Sequence, residues 1–237
     1  MSVISKHNMN INHLSVAMIF DVETTGLLSK TKETCPHVLQ CSYILYNIQT
    51  HEIMKTMDSY VNIPKEVLIP PESTAIHGIT RAHCDSGREM SDILTEFYQD
   101  YHNASVLVAH NYKFDTTMLN IEFQRNWSRM KASCPFALNL FHPVYMKSVN
   151  IDHICTMDSC KDMCKIPFPE SSTGKRSNGY KWPTLLELYR HLFHTTPANL
   201  HDSMMDCIVC LRCVLKVSCD RDLEENDFVE LVRKIKK

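Results

Sequence analysis

The sequence has almost no net charge. Its 25 Lys and Arg residues meet 27 Asp and Glu residues, a formal charge of −2 over 237 residues. A protein that grips long duplex nucleic acid mainly through phosphates carries a broad basic field, and that class is excluded. A protein that holds only a few nucleotides, with metal ions supplying the positive charge, is not. No apolar run approaches the roughly 20 residues that span a bilayer, so no membrane partner is expected. The first fifteen residues, MSVISKHNMNINHLS, are polar and lack the apolar segment of a secretory signal. No internal repeat is present.

What the chain does contain is ordinary for a globular protein: 44% hydrophobic and 22% charged residues, with length for one domain and a sizeable core. Eleven cysteines without a secretory signal read as reduced thiols, which points to the cytosol or nucleus. Cys207, Cys210, Cys213 and Cys219 lie on one helix at a spacing that cannot wrap a tetrahedral zinc. With Cys155, Cys160 and Cys164 they read as small buried thiols.

The chain is organised around Met18-Ile19-Phe20-Asp21-Val22-Glu23-Thr24-Thr25-Gly26. An apolar strand, about Val16 to Asp21, acquires two acids and stops. Residues two apart on a strand share a face, so Asp21 and Glu23 project from one side. Paired carboxylates at the end of a buried strand repel and are costly to desolvate unless a cation lies between them, and all-oxygen ligands favour Mg²⁺ or Mn²⁺. A solvated acidic turn is the alternative. Two long strands follow, Val38–Asn47 and His51–Val61, joined by a polar hairpin. The three prolines between Ile63 and Thr80 exclude regular structure there, and Thr80 can cap a short helix. Ser91–His102 and Asp115–Arg125 have helical apolar spacing, and Ser105–Ala109 is a short buried strand. Ile151–Met157 is read as a last strand. Three helices end the chain: Pro183–Phe193 with Pro in its first turn, Asp202–Val217 and Asp222–Lys236. The residues from Pro167 to Lys181 form a polar loop whose Lys175, Arg176 and Lys181 can track a nucleic-acid backbone. The last helix carries Phe228, Leu231, Val232 and Ile235 on one face for packing or docking.

Three more clusters matter. His110-Asn111-Tyr112-Lys113-Phe114-Asp115 leaves the short strand where open sheets place ligands. His201-Asp202-Ser203-Met204-Met205-Asp206 opens a helix; positions five apart do not share a face, so His201 belongs in the loop before it. Glu72-Ser73-Thr74-Ala75-Ile76-His77-Gly78-Ile79-Thr80 lines a site or makes a turn.

In this order the clusters resemble the DEDDh branch of the DnaQ-like 3′–5′ exonucleases, over about residues 16–217; proofreading members include the epsilon subunit of bacterial DNA polymerase III. The resemblance implies an α/β, ribonuclease H-like fold, a mixed five-stranded sheet flanked by helices, with a tail at 1–15, an exonuclease domain at 16–219 and a C-terminal helix at 220–237. It implies that Asp21, Glu23, Asp115 and Asp206 bind two Mg²⁺ or Mn²⁺ ions and that His201 is the general base. It further implies that Thr24, Gly26 and Leu27 hold the terminal nucleotide, that Glu72 and His77 contact substrate, and that Asn111 and Phe114 shape the site. The expected partners are a single-stranded 3′ end of DNA or RNA and, in proofreading, a DNA polymerase. Ser203 departs from the family's usual alanine. An exoribonuclease with the same residues, and an inactive binding module, are the competing readings.

Overall fold

The computed structural model describes residue 9 and residues 11–28, 35–168, 179–197 and 200–235. Lys175, Arg176 and most of the polar loop, the start of the tail, and residues 236–237 lie outside these. Six strands form one mixed sheet in the order β4-β3-β2-β1-β5-β6. They are β1 (Val16–Thr24), β2 (Val38–Asn47), β3 (Glu52–Asn62), β4 (Arg88–Glu89), β5 (Val106–Ala109) and β6 (Asp152–Cys155). β1, β2 and β3 make an antiparallel meander, while β5 and β6 run parallel to β1. The sixth strand, beyond the five expected, is a two-residue edge that pairs with Val61 and Asn62 and is too short to leave a sequence signal.

Ten helices are described: α1 (Pro71–His77), α2 (Arg81–Asp85), α3 (Met90–Tyr101), α4 (Tyr112–Met130), α5 (Pro143–Ser148), α6 (Thr156–Ser159), α7 (Lys161–Cys164), α8 (Leu185–Phe193), α9 (Ser203–Cys219) and α10 (Glu225–Ile235). Five differ from expectation: α5, α6 and α7 lie where no helix is expected, α6 replacing the end of the expected strand Ile151–Met157, and α1 and α8 differ at their prolines. α1 forms in the proline-rich segment because Pro71 occupies a first-turn position, where the missing N–H costs nothing. α8 starts after Pro183: Thr184 caps it and exchanges hydrogen bonds with Glu187 in a capping box, so the proline precedes the helix. Among the described residues no helix is long and apolar enough to cross a membrane.

Alternation along β1 divides the core. Met18, Phe20 and Val22 pack with α3 and α4 on one face; Ala17 and Ile19 pack with α9 on the other. Phe20 anchors the first face edge-on to Phe97, with ring centroids 5.7 Å apart. α9 is buried almost all round, including Cys207, Cys210 and Cys213. Its outer side is fixed by Arg212, whose guanidinium lies over the rings of Tyr189, Phe193 and Phe228, at 5.3, 4.9 and 4.9 Å, and pairs with Asp222. One cation thus ties α8 and α10 to the helix that carries Asp206.

Replacing Arg212 with Met keeps the apolar stem and removes the cation. We expect a loss of about 2 kcal/mol from the ring contacts and the charged hydrogen bonds together, read as a lower urea midpoint. An unchanged midpoint would show that α8 and α10 do not depend on this residue.

Candidate active site

The side-chain period that puts Ala17 and Ile19 under α9 continues to Asp21 and Glu23. Both acids therefore leave the sheet on the α9 side, at the carboxyl end of β1. Asp115 arrives from the first turn of α4, directly beyond β5, and is buried. Its Oδ2 has no hydrogen-bond partner among the described residues. Asp206 arrives from the first turn of α9, which Asp202 caps by accepting from the Met205 N–H at 3.0 Å. His201 sits in the loop before that cap, exposed, with φ of 72°. Its backbone N–H points at Asp206 Oδ1, 3.4 Å away. Ligand atoms of Glu23, His201 and Asp206 all lie within 4.8 Å of one another.

The carboxylates are electrostatically joined. Burial, then the charges of Asp115, Asp206, Glu23 and Asp202, holds the Asp21 carboxyl well above the usual range. Burial, followed by Asp206, Asp115 and Asp202, pushes Glu23 up to about 8. Burial also pushes Asp206 up to about 7, against the His201 N–H and with Asp202. Asp115 is raised by burial and by Asp206, although the Val22 N–H favours its charged form.

The turn after β1 is built for close approach. Thr24 Oγ1 donates to the Gly26 carbonyl at 2.8 Å and accepts from the Gly26 N–H at 3.3 Å. Gly26 has φ of 148°, which an L side chain rarely adopts. Leu27 beside it is 75% exposed. Ser73 Oγ donates to the Thr25 carbonyl at 3.1 Å, holding α1 against the turn. His77, at the end of α1, accepts from the Ile79 N–H through Nδ1. Its pKa is lowered by burial and by nearby His201, and opposed by the Thr24 backbone, so it faces both. Glu72 lies exposed on α1, and among the described residues no hydrogen bond or ion pair joins it to the carboxylates. Asn111 takes a left-handed conformation before α4, and its carbonyl accepts from the Phe114 N–H. Phe114 packs against the α4-side core.

Residues match the RNase_T family, described as exonuclease, from position 18 to 214. The chain belongs to this exonuclease family. The family of this fold uses divalent metal ions, and one complex of E. coli exonuclease I with single-stranded DNA holds zinc. The chain is 30% identical over 136 residues to a PolC-type DNA polymerase III of Streptococcus pneumoniae, covering 55% of this chain and 8% of that protein. A PolC-type polymerase of Streptococcus sanguinis is 31% identical over 109 residues, covering 46% and 7%. E. coli exonuclease I bound to a dT13 oligonucleotide superposes with a TM-score of 0.61 at 18% identity, covering 91% of this chain and 43% of that one. A 3′-exonuclease recognising the histone mRNA stem-loop superposes at 0.60 and 18% identity, covering 89% and 84%. The chain thus spans under a tenth of the polymerases and less than half of exonuclease I.

Beside these acids lies a polar row that the sequence reading missed. On β2, Ser42 pairs with Asp21 and Gln40 with Glu23. Gln40, almost fully buried, donates through Nε2 to Asp58 Oδ1 at 2.9 Å and to Asp202 Oδ2 at 3.0 Å. Its Oε1 accepts from the Ser203 N–H at 3.4 Å. Ser42 Oγ donates to Asp58 Oδ1 and meets the Ser203 hydroxyl. Ser203, the departure from alanine, is therefore paired with Ser42. The signal was present: two polar residues two apart on an otherwise buried strand. His110 is a further fixed point. Its Nε2 donates to the Pro183 carbonyl at 3.1 Å and Nδ1 accepts from Thr156 Oγ1 at 2.8 Å, the neutral tautomer. Burial lowers its pKa to about 4.

Two expectations follow. Gln40→Leu strips a donor from Asp58 and Asp202, at a cost of about 2 kcal/mol in stability; an unchanged denaturation midpoint would contradict the network. The raised carboxyls also predict an inverted pH dependence for the metal-free protein. A carboxyl whose folded pKa exceeds its unfolded value stabilises below the unfolded value and loses that contribution as pH rises through the folded one. In EDTA, thermal stability should therefore fall from about pH 4, the ordinary carboxyl range, to about pH 8, through the Asp206 and Glu23 values. Divalent cations should remove the decline. A flat or rising EDTA profile over that window would contradict it.

Proposed function

We propose that this chain is a metal-dependent 3′–5′ exonuclease that releases nucleoside 5′-monophosphates from a single-stranded 3′ end of DNA. The observation that carries the reading is the meeting of four mutually repelling carboxylates with one exposed histidine, in a member of an exonuclease family. On this reading residues 16–219 are the nuclease domain, 1–15 a tail and 220–237 an appended helix, in a protein of the cytosol or nucleus.

The donor set suits two Mg²⁺ or Mn²⁺ ions. It is all oxygen apart from the histidine, and Asp115 Oδ2 is a buried acceptor left without a partner among the described residues. Asp21, Glu23, Asp115 and Asp206 would hold the ions, which supply Lewis-acid polarisation of the scissile phosphate and neutralise the leaving oxygen. His201 is exposed beside Glu23 and Asp206, where its imidazole takes the proton of the attacking water. Its loop is held by the backbone hydrogen bond to Asp206. The Thr24–Leu27 turn receives the terminal nucleotide, with the exposed Leu27 against its base. His77 borders that pocket, Asn111 shapes its floor, and Glu72 contacts the substrate from α1.

The PolC-type relatives support a place beside a DNA polymerase as a proofreading module. A ribonuclease reading with the same residues draws on the histone mRNA neighbour, of which this chain covers 84%. The choice rests on how the pocket treats the ribose 2′-hydroxyl. An inactive binding module is disfavoured because every acid and the histidine are present.

The test uses 5′-labelled DNA and RNA of one sequence, with Mg²⁺, Mn²⁺ or EDTA. A metal-dependent ladder shortening from the 3′ end is expected. Asp21→Asn, Asp115→Asn and Asp206→Asn should each lower turnover by at least about 10³-fold, and His201→Ala by about 10²–10⁴-fold. Turnover near the unsubstituted rate in any aspartate variant would overturn the assignment.

A further inference from the structure

Three large aromatic side chains stand exposed around one loop stem: Trp182 at 53%, Phe168 at 43% and Tyr180 at 37%. The stem is closed by the Lys181 N–H donating to the Ile166 carbonyl at 2.9 Å. Lys161, at the start of α7, places its ammonium 4.7 Å from the centre of the Trp182 ring. Lys165 is exposed between them in sequence. Exposed aromatics are expensive in water, and aromatics interleaved with lysines are what a stacked, phosphate-bearing chain requires.

Position connects this stem to the carboxylates. Pro183, next to Trp182, accepts from His110, the residue directly after β5. His110 in turn accepts from Thr156, the first residue of α6, directly after β6. The stem is therefore pinned at the carboxyl ends of β5 and β6. Those strands run parallel to β1, so this is the end of the sheet where Asp21 and Glu23 emerge. The terminal-nucleotide turn lies on the other side of β1: the Thr25 N–H donates to the His37 carbonyl just before β2. The order across the sheet is turn, carboxylates, aromatic stem.

We propose that Trp182, with Tyr180, Phe168 and Lys161, forms a base-stacking subsite for the single strand on the 5′ side of the nucleotide being released. This rests on the exonuclease reading for the direction of the strand. A strand whose 3′ end lies in the Thr24–Leu27 turn crosses the carboxylates and continues towards β6, where its bases meet the rings and its phosphates meet Lys161. Stacking uses the face common to all bases, so the subsite is blind to sequence.

The decisive reading is Trp182 fluorescence. The chain has one other tryptophan, the half-buried Trp127 of α4, and Trp127→Phe leaves Trp182 as sole reporter. In EDTA, a single-stranded 12-mer should quench that emission saturably, with the midpoint given by anisotropy of the labelled oligonucleotide. Unchanged emission while anisotropy shows full binding would overturn the subsite. In turnover, Trp182→Ala should raise KM for the 12-mer about tenfold without lowering kcat, and Trp182→Phe should recover most of the loss. Equal KM values for Trp182→Ala and the unsubstituted protein would also overturn it. Saturable quenching in a protein that hydrolyses no nucleic acid would keep the subsite and remove the exonuclease reading.

Discussion

The structure depends on the repulsion among four carboxylates that it forces together. Asp21 and Glu23 come from one strand, Asp115 from the helix after the neighbouring strand, and Asp206 from α9, far along the chain. Each is disfavoured as an anion by burial and by the others. Among the described residues, the neighbouring charges that act on them are all carboxylates. A fold that keeps such a cluster is prepared for an ion from outside, and the near-neutral net charge of the chain agrees with positive charge arriving with the substrate's metal.

Holding the repelling groups in place is the task of the surroundings. Gln40 joins β2 and β3 to the cap of α9, and its amide orientation is fixed because both carboxylates need donors while the Ser203 N–H needs an acceptor. Arg212 holds the far side of the same helix against three aromatic rings. The loop carrying His201 is bound to Asp206 through the backbone, which ties it to one acid of the cluster. On the opposite sheet face a largely apolar cluster around Phe20 packs β1 as far as Val22.

Much of this was legible in the sequence because the signals were local. Period-two alternation in β1 and β2, helical spacing in α3 and α9, and the acid-bearing strand end all follow from single stretches. The bounds of β2 match the expected strand to the residue, and His201 lies in a loop, as a spacing of five from Asp206 requires. What escaped were features set by distant partners. α1 escapes the sequence because proline signals a break, and here Pro71 starts a helix. β4 is two residues long and exists only through its pairing with β3. Gln40, Ser42 and Asp58 carry no motif, and their role appears only when register brings Gln40 opposite Glu23 and Ser42 opposite Asp21.

The cluster is expected to bind divalent cations by exchanging protons for metal. Calorimetric titration of the protein with Mn²⁺ at pH 7, in two buffers of different ionisation enthalpy, measures it directly. Binding should release protons, because Glu23 and Asp206 are partly protonated in the metal-free state. The release should vanish with the binding in Asp115→Asn. Absence of Mn²⁺ binding, or binding with no proton release, would contradict the account.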